Sequence, residues 1–246
     1  MSTASDFSPV SARASASPPA KRGFRIAIWP LWGALAAALA FAGTIVFDVR
    51  PAAEMAAWEA GEDYIVTSAD MMDLDHVASR MGWTVGLLGV LALFVFQGYW
   101  RRNAEQRFTG SVGARIFTGG ILATAATLML GYGWKGALAN YLGPEAGLYD
   151  EEGLFVYYML TDFGAYLPGF GLVVAAIAFV WMAFAERNVS RILGGFTAVI
   201  ALFILAMTFG TGVPGLPGVY GLMWLGIACL WLAVGRSRIT EPGDPA

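Results

Sequence analysis

Residues 81–100 read MGWTVGLLGVLALFVFQGYW, and two arginines, Arg101 and Arg102, follow at once. A helix rises 1.5 Å per residue, so an uncharged run of this length matches the ~30 Å hydrocarbon core of a bilayer. Soluble domains carry about 25% charged residues. This chain of 246 residues carries 13%, with 57% hydrophobic residues and a mean hydropathy of +0.61. A soluble fold around one large core is thereby excluded, and the run reads as a membrane crossing.

Five further apolar stretches flank it, at 24–47, 116–134, 154–185, 192–210 and 217–235. The expected fold class is all-α: an integral membrane protein built as a six-transmembrane-helix bundle over residues 24–238. Residues 1–23, rich in Ser, Ala and Pro, read as a disordered cytoplasmic tail, and 239–246 as a C-terminal tail. The first stretch contains Ala38-Leu39-Ala40, a small-residue pattern of the kind signal peptidases cut. Its apolar length exceeds a signal core, so it is read as a retained span.

Basic residues fix the orientation, because short cytoplasmic loops collect Lys and Arg. Twelve of the 15 basic residues fall before the first stretch, between the second and third, between the fourth and fifth, or after the sixth. Only Arg50, Arg80 and Lys135 fall on the other side. Both termini are therefore expected in the cytoplasm. The Ala-, Gly- and Arg-rich, lysine-poor usage suggests a high-GC bacterial source, hence a multi-pass protein of the bacterial cytoplasmic (inner) membrane.

The opposite side is acidic, with 12 of the 18 acidic residues in loops 48–80 and 135–153. Within the first loop, SADMMDLDHVASRMGW shows apolar residues at nearly helical spacing. It predicts an interfacial helix that starts at Ser68 or Asp70 and runs into the second span. Asp70, Asp73 and His76 share a face of that helix and form a weak candidate divalent-metal site. Acids favoured near a helix N-terminus explain the same pattern without a metal.

Packing signals run along the third span, where Gly119, Ala123, Thr127 and Gly131 fall four apart on one stripe. Small residues let membrane helices approach closely. Trp29, Trp32 and Trp100 at one level, and Tyr132 and Trp134 at the other, fit interfacial aromatic belts.

Chemistry concentrates in VYYMLTDFGAYLPGFG, residues 156–171. Asp162 is the one acid well inside a span, roughly 12 Å deep if the span starts at Leu154, and such a group is usually paired or functional. Tyr158 and Tyr166 lie one turn either side on the same face. Three partners are open for Asp162: Thr161 or a neighbouring tyrosine, Lys135 at the end of the preceding span, or a proton or cation entering from outside. Pro168, with Gly164, Gly169 and Gly171, predicts a bend just beneath.

Catalytic equipment is sparse. One histidine, His76, excludes bis-histidine haem ligation within this chain, and one cysteine, Cys229, excludes an intrachain disulfide and paired-cysteine metal sites. No cofactor and no catalytic residue is predicted. GTGVPGLPGVYG at 210–221 lacks the strand and lysine of a phosphate loop and reads as a tight turn. The few basic residues per loop fit orientation better than nucleic-acid binding.

The segments RNVSRILGGFTAVIALFILAMTFG and GVYGLMWLGIACLWLAVG resemble the end of small six-span bacterial integral membrane proteins of unknown function. There a basic-flanked RILG opens the fifth span, and a Trp- and Leu-rich sixth span closes the chain. The resemblance covers the C-terminal third and carries no functional residue with it.

Three functions fit these observations. The first is a non-catalytic membrane subunit or accessory protein, partnered by the lipid bilayer and by other membrane subunits or copies of itself. The second is a small proton- or cation-coupled transporter using Asp162, Tyr158, Tyr166, Thr161 and Lys135. The third is an intramembrane enzyme, disfavoured by the shortage of catalytic groups.

Overall fold

Apolar runs bounded by capping residues fold as helices throughout a computed structural model that describes residues 26–241. The tail expected at 1–23 and the end of the C-terminal tail lie outside those residues. In chain order the helices are α1 (Leu31–Phe41), α2 (Ala52–Ala60), α3 (His76–Trp100), α4 (Val112–Leu142), α5 (Glu151–Gly164), α6 (Gly169–Phe184), α7 (Arg191–Thr211) and α8 (Leu216–Val234). No strand occurs among the described residues. Taking α5 and α6 as one interrupted helix, five are long and apolar enough to cross a membrane: 76–105, 112–142, 151–184, 191–211 and 216–234. The first apolar stretch is shorter, Leu31–Val46, and its last turn widens to a π-helix at Ala42–Val46.

Helix starts follow the side chains available to cap them. Asp75, Ser111, Asp150 and Ser190 each accept a hydrogen bond from a backbone N–H in the first turn of α3, α4, α5 and α7. This capping corrects the expectation of one continuous helix from Ser68 into the second span. Asp75 stops any such helix, and Ser68–Asp73 forms a separate 3₁₀ turn. At the far end of α7, Gly212 takes the left-handed conformation (φ 73°), which a Cβ would disfavour, and the chain reverses into α8 within the expected glycine-rich turn.

Contacts between segments distant in sequence bring the basic-flanked segments around Ser111, Glu186 and Ala233 together at one end of the bundle and the acidic stretch around Arg50 and Asp162 together at the other. α4 packs against α3, α5 and α6, α1 lies between α3 and α8, and α7 closes the side against α6 and α8. At the basic end the Ala27 amide donates to the Ala233 carbonyl at 2.9 Å, which joins the first and last described segments. The start of the C-terminal tail is not free: Ile239 is buried, and its amide donates to the Asn188 carbonyl.

The packing stripe on α4 differs from the one expected. Gly119, Ala123 and Thr127 face outward, with nothing near Gly119 and the Thr127 hydroxyl donating to its own helix at Ala123. The working stripe is rotated by one residue, to Gly113, Gly120, Thr124 and Gly131. There Gly120 meets the backbone of Gly171, and Gly131 meets that of Gly164. Of the expected residues only Gly131 holds its role. Small residues recur on two neighbouring faces of this helix, and spacing alone does not say which faces protein. Tyr132 and Trp100, expected in interfacial belts, are both fully buried.

Candidate functional site

The helix break at the acidic end starts with Pro168. Lacking an N–H, it leaves the Gly164 carbonyl without its helical partner. The chain tightens instead, with Tyr166 and Leu167 amides both donating to Phe163 and the Gly169 amide to Tyr166. The Thr124 hydroxyl of α4 donates to the Pro168 carbonyl at 3.1 Å. The expected bend is thus a four-residue interruption, 165–168, between α5 and α6.

Asp162 sits just before this break and pairs with Arg50, a residue that the sequence reading used only for orientation. Arg50 Nη2 donates to Asp162 Oδ1 at 2.9 Å, Nη1 to Glu54 Oε1 at 2.9 Å, and Nε to Asp48 Oδ2 at 2.9 Å. One guanidinium therefore gathers three carboxylates, from the loop after α1, from α2 and from α5. Its planar five-donor fork suits this work better than an ammonium. Burial opposes the charge on Arg50, but the charges of Asp48 and Asp162 and the hydrogen bonds to Glu54 and Asp48 outweigh it. The net effect is a pKa raised well above the ordinary arginine value.

The tyrosine stripe faces the same cluster. Tyr158 Oη donates to Glu54 Oε2 at 3.2 Å and Tyr166 Oη to Asp48 Oδ2 at 3.4 Å. Both therefore bond the neighbouring acids and not Asp162. Thr161 is excluded as its partner too, because its hydroxyl donates to the Tyr158 carbonyl of its own helix. The five polar groups around Arg50 carry a net charge of −2 with the guanidinium counted, and their side chains are roughly a quarter exposed where ion-paired.

Lys135 has a different task from the one expected. It is 5% exposed, and its ammonium donates to the carbonyls of Gly43 at 2.9 Å and Phe47 at 2.6 Å. These are orphan acceptors at the end of the π-turn, where a positive charge also meets the negative end of the helix dipole. Its stem passes over Gly82, where a Cβ would sit 2.7 Å from Lys135 Cε. One turn earlier, Tyr132 donates to the Ala40 carbonyl and accepts from the Thr44 hydroxyl, each at 2.8 Å. Lys135 and Tyr132 thus fasten the end of the short first helix to α4.

The expected metal face is not assembled. Asp70 accepts from the Thr67 amide and the Tyr64 hydroxyl, both at 2.7 Å, which holds its carboxyl below the usual range and pushes the Tyr64 hydroxyl up. With Leu74 and Asp75 outside any helix, Asp73 and His76 no longer share a helical face. Among the described residues no three His, Cys, Asp or Glu side chains are placed to hold a metal ion.

A second polar knot, also missed from the sequence, lies at the basic end. Glu186 accepts from the Gly113 amide at 3.0 Å and from the Ser111 hydroxyl, so an acid following α6 caps the N-terminus of α4. Arg187 next to it adopts a left-handed conformation (φ 58°), which lets the Asn188 amide turn back to the Met182 carbonyl.

No family model, no curated protein and no solved structure matches this chain, so its functional reading rests on this geometry.

Proposed function

We propose that the chain is a non-catalytic, multi-pass subunit or accessory protein of a larger membrane complex. The observation that carries this reading is that Asp162 and Lys135, the ionisable groups on which a carrier would depend, are engaged by the chain itself. Asp162 is held by Arg50, and Lys135 by two backbone carbonyls. Intramembrane charges that serve transport are generally exposed to a water-filled path; these fasten helices together. Six crossings with both termini in the cytoplasm of a bacterial inner membrane complete the proposal, the sixth being the short Leu31–Val46 helix with its flanking residues. It is supported by the bias of basic residues and by the pairing of Ala27 with Ala233 at one end.

The test is gentle purification of the full-length chain from its native membrane, followed by composition analysis and an absorption spectrum. Stoichiometric partner chains are expected; a chain that purifies alone in every mild detergent would sink the reading.

One observation favours a proton- or cation-coupled transporter as the second reading. A carboxylate about a quarter exposed lies directly before a helix break, the arrangement from which carrier sites are built. Asp162→Asn in reconstituted vesicles separates the two. Loss of pH- or cation-driven flux with folding intact would favour the carrier, and the absence of flux in the unaltered protein would remove it.

A further inference from the structure

Between Ala52 and Ile65 not one residue is buried, although Ala52–Ala60 is helical and ends in a left-handed Gly61 cap. Isolated helices shorter than ~12–15 residues are marginal in water, and α2 has nine. Its side-chain links to the bundle run through Glu54, to Arg50 and to Tyr158. Trp58 is 72% exposed and Ile65 84%. Met55 and Trp58 stand three apart on one face of the helix, with Glu59 one turn beyond Met55 and Glu62 and Asp63 following the cap.

Charge decides what covers such an arm. A second copy of this chain would bring the same acids toward Glu59, Glu62 and Asp63, and like charges facing each other across an interface oppose association. An anionic lipid surface is repelled for the same reason. A basic segment carrying apolar side chains meets both requirements, cations for the acids and hydrophobic contacts for Trp58 and Met55.

We propose that residues 52–65 form a docking arm for a basic, amphipathic polypeptide segment of a partner protein, latched to the bundle by the Glu54–Arg50 pair. This rests on the subunit reading above and names the chemistry of one partner contact.

The arm is tested on the full-length protein in phosphatidylcholine nanodiscs, with a synthetic helical peptide of leucine and lysine at 3.6-residue spacing as the probe. A nitroxide at position 58 (Trp58→Cys in a Cys229→Ala background) is expected to be reached by a water-soluble nickel chelate. Peptide affinity is expected to fall at least tenfold in the combined Glu59→Gln, Glu62→Gln, Asp63→Asn variant, and similarly in Met55→Ser with Trp58→Ser. A label reached by oxygen and shielded from nickel would place the helix in the lipid interface and overturn the proposal, as would equal peptide affinity for all variants.

Purification from native membranes separates this inference from the one beneath it. Partner loss from the charge-neutral variant alone supports the arm. Partner retention overturns the arm and leaves the subunit reading standing, and no partner with either protein overturns both.

Discussion

The two ends of the bundle differ in what dominates their contacts. Toward the basic end, apart from the Glu186 cap on α4, helices meet through rings and small residues. Trp100 stacks on Phe117 with centroids 3.9 Å apart, Phe96 and Phe179 pack around them, and Gly113 and Gly120 let α6 close against α4. At the acidic end, the contacts are ionic and hydrogen-bonded, centred on Arg50 and Lys135. The contrast follows from solvent. Where lipid surrounds the chain there is no hydrophobic reward for association, so close fit must supply it. Where the chain approaches water, charges keep part of their hydration, and a guanidinium can collect three acids at modest desolvation cost.

Altering the fit should do most damage. Gly131→Val forces a side chain into the Gly164 backbone, and Gly169→Val into that of Gly218. Backbone cannot yield as a side-chain tip does, so each is expected to exceed the ~1–3 kcal/mol typical of overpacking and to abolish the monodisperse folded species in size-exclusion chromatography. Gly119→Val, on the outward stripe with open space around it, is the control and should leave the melting temperature unchanged. Equal damage from all three would mean that the rotated stripe is wrong.

Removing the hub is expected to come next. Arg50→Ala leaves Asp48, Glu54 and Asp162 facing one another, for a loss of about 2–3 kcal/mol given their partial exposure. Arg50→Lys should recover only part of it, because an ammonium cannot fork to three acids. Both are read from unfolding in graded sodium dodecyl sulfate. Lys135→Met keeps the stem over Gly82 and frees two carbonyls, at about 1–2 kcal/mol. Asp162→Asn retains one acceptor for Arg50 and should cost about 1 kcal/mol.

The smallest effect concerns the loop beyond the bundle, where pH separates local from global stability. The Asp70 carboxyl is held below its unfolded value, so its bonds to Thr67 and Tyr64 contribute fully above ~pH 4. They are lost only as pH falls through the still lower folded value. Exchange protection of the Thr67 amide, corrected for intrinsic rate, should therefore stay constant from neutral pH to about 4 and vanish below. A loss already at pH 6 would contradict this.

Much of the fold was legible because membranes impose simple rules. Run length identified the five long helices, among six expected spans, and Pro168 with its glycines marked the break. The site was only half legible. Asp162, Tyr158, Tyr166 and Lys135 were found as polar groups in apolar surroundings. Their partners were not, since Arg50 lies 112 residues from Asp162, and the carbonyls that Lys135 caps carry no signature in the sequence.

By itself, then, the sequence determined the all-helical, membrane-compatible character of the chain, its polar asymmetry and the location of its interrupted helix. Each depends on local composition and on spacing along a single segment. Only the tertiary structure decided which of two glycine stripes on α4 faces protein, that Arg50 holds Asp162, and that Lys135 closes the end of α1. Those choices depend on which residues meet across helices, and a residue's own helix carries no record of what will stand opposite it.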